Sequence, residues 1–251
     1  MTVSALQEMK RDGRKIVGVV VYDCQMARIC DRAGVDLVSV GDSVGVNLWG
    51  HEHETDVTLD QMALVCQAVR RGVTRAVVSC DMPFGPLQQG IDAAVDAARR
   101  LVDAGADLVK IDVAASSADA VRAVVSAGIP VWAQFGSEPA APIAHQLVRE
   151  AKLLEQAGAS LLDFRYSGPV AGPEVVRAVT IPVIGGLGGG PWLDGRVRAL
   201  VSALGYLASA VDDQADRYAN IALTSLNAIR ALCDDVRAAR PLRGEAPPGK
   251  S

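Results

Sequence analysis

Aromatic residues make up only 4 % of this 251-residue chain, so a core has to be assembled from many small aliphatic contacts. No positive excess is present either: 25 Lys and Arg stand against 29 Asp and Glu, a formal charge of −4. That balance excludes a protein built to gather a phosphate backbone, and no nucleic-acid partner is expected. Long apolar runs are missing. The opening MTVSALQEMKRDGRK lacks the apolar stretch of a secretion signal, and no later segment is uncharged for long enough to cross a bilayer. A cytoplasmic protein without a membrane partner is the expectation. The five cysteines (24, 30, 66, 80 and 233) form no CxxC and leave one over from any full pairing, against both a disulfide framework and a structural zinc site. No GxGxxG follows the first strand-like run, which removes the main signal for a dinucleotide-binding open sheet.

What is present is alternation. Short β-branched runs recur at Ile16–Val21, Leu37–Val40, Ala76–Cys80, Leu108–Ile111, Val131–Gln134, Leu161–Phe164 and Pro182–Ile184, with a weaker one at Val197–Val201. Between them, apolar residues fall at helical spacing over Gln25–Ala33, Leu59–Arg71, Ala93–Ala104, Ala118–Ala127, Ile143–Ala157 and Glu174–Ala178. Several of these stretches end in Ala-Gly or Arg-Gly, at Gly34, Gly72, Gly105, Gly128 and Gly158, the signature of a left-handed C-cap. The phrase AG(V/A)D marks the passage from helix to strand at Ala33–Asp36 and Ala104–Asp107. Seven or eight such units in this length predict a (β/α)8 TIM barrel with a C-terminal helical extension, an open sheet being the alternative. Helical stretches are expected at Asp212–Leu226 and Asn227–Ala239, one barrel domain over 1–240, and a flexible tail over 241–251.

Polar residues gather where strands end: Asp23, Asp42, Asp81, Lys110, Asp112, Gln134, Asp163 and Arg165. In a barrel these ends share one face, so residues distant in sequence converge there. Hard oxygen ligands from separate strands suit Mg²⁺, and Asp42, Asp81 and Asp112 form the candidate set. Any one of these Asp residues is equally well a helix N-cap, Asp23 most readily. Capping does not explain Lys110, two residues before Asp112 and therefore on the same face of its strand. Either it forms a structural ion pair or it meets an anionic substrate.

The segments YDCQMARICDRAGVDLVSVGDSVGVNLWGHEHETDVTLDQM, CDMPFG, VKID, GIPVWAQFG and IPVIGGLGGG resemble the ketopantoate hydroxymethyltransferase family, over about residues 8–205. The resemblance implies a (β/α)8 barrel of the phosphoenolpyruvate mutase and isocitrate lyase superfamily, commonly a homo-oligomer. It implies Mg²⁺ holding a small-molecule 2-oxo acid, enolate chemistry, and methylenetetrahydrofolate as the one-carbon donor. By the same resemblance Asp42 and Asp81 are metal ligands, Ser43 and Lys110 meet the substrate carboxylate, and Asp112 stands where the family has a metal-associated Glu.

The chain departs from that pattern near the substrate. Arg165 occupies the place of the family's general-base Glu and cannot accept a proton at ordinary pH. Gln134 replaces a His, Ala140 replaces a Gln, the segment before the next helix shrinks to Ala141–Ala144, and the loop Gly185–Gly190 is one residue longer. An enzyme with altered substrate, donor or base is the favoured reading; a folate-independent aldolase or C–C lyase and a catalytically silent binding barrel are the alternatives. Asp163 is the candidate substitute base, unless it pairs with Arg165, which would lower its pKa. Arg165 is alternatively a clamp for a second carboxylate or phosphate. The HEHE run at 51–54 superficially suggests a metal site but reads better as a solvated loop, with His51 shaping the active-site loop. His145 reads as a surface residue. Trp49, Trp132 and Trp192 are expected near the rim.

Overall fold

The computed structural model describes residues 1–112, 114–136, 144–186 and 189–244. Eight parallel strands close into a barrel in sequence order: β1 Ile16–Val20, β2 Leu37–Val40, β3 Val77–Asp81, β4 Leu108–Ile111, β5 Val131–Phe135, β6 Leu161–Phe164, β7 Val183–Gly185 and β8 Gly195–Ala199. The chain is a (β/α)8 barrel with a C-terminal helix. Every residue of β2 to β7 is buried, because helices cover the outside and side chains fill the inside. The ring closes through a tight contact of β8 with β1, where a Cβ on Gly195 would lie 2.3 Å from the Ile16 carbonyl oxygen.

Helices α2 Cys24–Ala33, α3 Leu59–Arg70, α4 Phe84–Gln89, α5 Ile91–Asp103, α6 Ala118–Ser126, α7 Ala144–Gln156 and α8 Ala171–Ala178 connect the strands. Gly34, Gly105, Gly128 and Gly158 follow helix ends at positive φ, as their sequence context predicts. Gly72 is different: it is not left-handed, and a Cβ there would come within 2.4 Å of the Cys24 carbonyl oxygen, so close approach requires it.

One helix was not expected. Preceding β1, α1 Val3–Arg11 places Leu6 and Met9 in a cluster with Ile16, Leu37, Val77, Leu108, Trp132, Leu161, Ile184 and Val197, one residue from each strand. All the strand residues but Val197 come from the first two positions of their strands, so α1 packs beneath the N-terminal end of the barrel. Trp132 therefore belongs to this floor, at 1 % exposure, and not to the rim where the sequence suggested it.

Contacts divide the chain into two compact units, Met1–Arg198 and Ala199–Ser251. Two expectations near this division are corrected. The last strand lies two residues earlier than Val197–Val201, and Leu200–Ala203 is a short helix, α9. Within the second unit a single helix, α10 Ile221–Arg237, replaces the two expected over 212–239. The stretch 212–220 lacks an apolar face, and Asn220 caps α10 by accepting the Leu223 N–H at 2.9 Å. Residues 245–251 of the expected tail lie outside the described residues. Among the described residues, no helix is long and apolar enough to cross a membrane.

Candidate active site

The strand register explains how polar side chains enter the barrel. Ser39 pairs with Ser79, Asp81 with Lys110, and Gln134 with Asp163. Side chains alternate along a strand, so above the apolar floor the inward positions of β2 to β6 carry Ser39, Ser79, Asp81, Lys110, Gln134 and Asp163, all buried. An interior this polar is costly unless its groups find partners. Ser39 and Ser79 escaped notice in the sequence, although they interrupt apolar runs three residues before Asp42 and two before Asp81.

Carboxylate oxygens of Asp42, Asp81 and Asp112 lie within 4.8 Å of one another, the one such acidic or metal-ligating group among the described residues. The Lys110 ammonium donates to Asp81 Oδ2 at 2.9 Å and to Asp112 Oδ1 at 2.5 Å. The structural ion pair is therefore present, and because an ammonium has three donors these two bonds leave one over. Burial opposes the charge on Lys110, but Asp112 and Asp81 hold its pKa well above the usual value. Burial pushes the Asp42 carboxyl up to about 6, against the pull of Lys110 and with repulsion from Asp112 adding to it. Burial likewise raises Asp81, again opposed by Lys110 and reinforced by Asp112 and Asp42. Three crowded carboxylates facing one ammonium leave excess negative charge, the condition a divalent cation relieves. The all-oxygen donor set and its spacing suit Mg²⁺ with water or substrate completing the shell.

Ser43 lies beside this group on the loop after β2. Its hydroxyl is 2.9 Å from the Tyr22 hydroxyl, and Asn47 donates both to Tyr22 Oη at 3.2 Å and to the Ser43 carbonyl at 2.8 Å. Tyr22 and Asn47 were not singled out in the sequence; only their proximity to Asp23 and Ser43 hinted at them. Asp23 itself is a helix cap, accepting the Gln25 and Met26 N–H groups at 2.8 Å each.

Across the barrel, Asp163 accepts a long 3.5 Å hydrogen bond from Gln134 on Oδ2, while its Oδ1 is buried without a partner among the described residues. Burial pushes its carboxyl up to about 6, although Lys110 works in the other direction. No salt bridge joins it to Arg165, so the alternative of an ion pair that lowers the Asp163 pKa is not what the geometry contains. Arg165 follows β6 and lies 5.7 Å from the ring of Tyr166.

The remaining candidates separate. The His51 side chain is packed against Gly45 and stacks on Trp49 with ring centroids 5.9 Å apart, whereas His53 is exposed; among the described residues the HEHE run is part of no cluster of three metal-ligating side chains. His145 is exposed on α7. Trp192 donates to Ser167 Oγ at 3.0 Å. Ala140, residues 141–143, and Leu187 and Gly188 of the glycine loop lie outside the described residues.

The fold resembles that of 2,3-dimethylmalate lyase, with a TM-score of 0.67 at 15 % identity, covering 98 % of this chain and 92 % of that one. It also resembles a phosphonopyruvate hydrolase solved with oxalate and Mg²⁺, with a TM-score of 0.67 at 14 % identity, covering 96 % and 89 %. Sequence relatives are nearer. The 3-methyl-2-oxobutanoate hydroxymethyltransferase of Salinibacter ruber is 36 % identical over 252 residues, 94 % of this chain and 95 % of its own. That of Pyrococcus furiosus is 34 % identical over 251 residues, 94 % and 88 %. Residues 1–240 match the family described as ketopantoate hydroxymethyltransferase, and the chain belongs to that family.

Proposed function

We propose that the protein is a Mg²⁺-dependent transferase that forms a C–C bond at C3 of a 2-oxo acid through its enolate, with methylenetetrahydrofolate as the one-carbon donor. The observation that carries this reading is the group Asp42, Asp81 and Asp112 around Lys110 at the barrel mouth, in a chain of this family. Mg²⁺, when held by those three carboxylates, supplies Lewis acidity to the substrate carbonyl. The third N–H of Lys110 and the hydroxyl of Ser43, steadied by Tyr22, receive the substrate carboxylate. Asp163 takes the place of the missing Glu. Its unpartnered Oδ1 accepts the C3 proton, Gln134 orients it through Oδ2, and a carboxyl pushed up to about 6 is near the range in which a base works well at neutral pH. As the methylene carbon bonds to C3, its two C–N bonds break: water supplies the new hydroxyl and one proton, the proton held by Asp163 is the other, and the donor leaves as tetrahydrofolate.

The test is exchange of C3 protons into D₂O, followed by NMR for a panel of 2-oxo acids without any folate. Exchange that needs Mg²⁺ and falls ~100-fold or more in Asp163→Asn is the expected result, the size usual for loss of a general base. Absence of exchange across the panel would leave a silent binding barrel; exchange followed by cleavage without folate would make it a lyase.

A further inference from the structure

Arg165 is an unspent charge. It lies one position past β6 on the inward alternation that already carries Leu161 and Asp163. Its charge reaches Asp163 without pairing with it. Among the described residues, no hydrogen bond or salt bridge of the guanidinium is found, and it lies 5.7 Å from the centre of the Tyr166 ring. Tyr166 has φ 54, one of two non-glycine residues with positive φ among the described residues, a conformation that persists only where the surroundings impose it and that concentrates at binding sites. Lys110, the other cation of the mouth, already gives two of its three donors to Asp81 and Asp112. It has one left for a substrate carboxylate and none for a second.

We infer that Arg165 selects 2-oxo acids that carry a second anionic group, its planar fork receiving two oxygens of a distal carboxylate or phosphonate while the oxo-acid end sits at Lys110 and the aspartate cluster. This rests on the reading of the mouth as a 2-oxo acid site. The exchange of Glu for Arg then does two things at once: it removes one base and installs a recognition element. Gln134 and Asp163, adjacent in register, supply the replacement chemistry below it.

Calorimetric titration of the full chain with saturating Mg²⁺ tests this, using 2-oxoisovalerate as the monoanion, 2-oxoglutarate as the dicarboxylate and phosphonopyruvate as the phosphonate. The wild type is expected to bind one of the two doubly acidic probes more tightly than the monoanion, and which one identifies the distal group. In Arg165→Gln that ratio should fall ~10- to 100-fold, the range for loss of a charge-assisted hydrogen-bonded contact. Arg165→Lys, which keeps the charge and loses the fork, should fall between. Thermal unfolding of each variant establishes that it is folded. An unchanged ratio in Arg165→Gln, or a wild type that favours the monoanion, overturns the inference and leaves the 2-oxo acid site standing; binding of none of the three probes removes both.

Discussion

A buried carboxylate can serve structure or chemistry, and the surroundings of Asp31 and Asp81 separate the two. Asp31, on α2, accepts the N–H groups of Ala76 at 2.8 Å, Thr74 at 3.0 Å and Arg75 at 3.0 Å, and the Thr74 hydroxyl at 2.8 Å. Burial alone would raise its pKa, but these donors hold it down to about 2. A carboxyl lowered in the folded state stabilises the protein above its unfolded pKa near 4 and loses that contribution as pH falls toward 2. We expect Asp31→Asn to be less stable by about 2 kcal/mol at neutral pH, with the difference vanishing between about pH 4 and pH 2; urea unfolding across that range measures it. A difference that does not change with pH would mean the charge is irrelevant. Asp81 faces other carboxylates and moves upward instead. This contrast is invisible in the letters. The sequence identifies Asp42, Asp81 and Asp112 as rim residues from strand positions and the family motif, but Asp23, a cap, carries the same signature, and Asp31 carries none.

At the level of elements, the seven stronger strand runs lie within a residue or so of their places; β2 to β7 are buried on both faces, which leaves a continuous apolar run, and β1 keeps such a run although its Val17 is exposed. The eighth strand breaks that rule. Arg196 and Arg198 are exposed, so GRVRA offers little apolar signal and the boundary slips by two. The first helix hides for a related reason: Val3, Leu6 and Met9 are spaced three apart among charged residues, a narrow stripe that reads as polar until the barrel floor is there to receive it. Its weight in folding can be measured. Leu6→Ala, with Leu6 fully buried, should destabilise by ~2–5 kcal/mol, whereas Leu223→Ala on α10, at 39 % exposure, should change the denaturation midpoint little. Equal effects would mean that α1 merely rests against the barrel.

Across the barrel as a whole, the strands sort their inward residues by height, apolar against α1 and acidic at the mouth. Like charge gathered at one end weakens the fold until a cation joins it. Mg²⁺ at ~100 times its dissociation constant should therefore add ~2.7 kcal/mol to unfolding, visible as a raised melting temperature. Asp81→Asn should abolish the shift; its persistence would place the ion elsewhere. The donor specificity and the assembly state have no comparable signature, because they depend on surfaces that a single chain's strand pattern does not encode. The floor beneath β1 to β8 has one more consequence. A barrel sealed below is a blind well, so whatever is made inside departs by the door through which its precursor arrived, and accumulated product must slow turnover by obstructing entry.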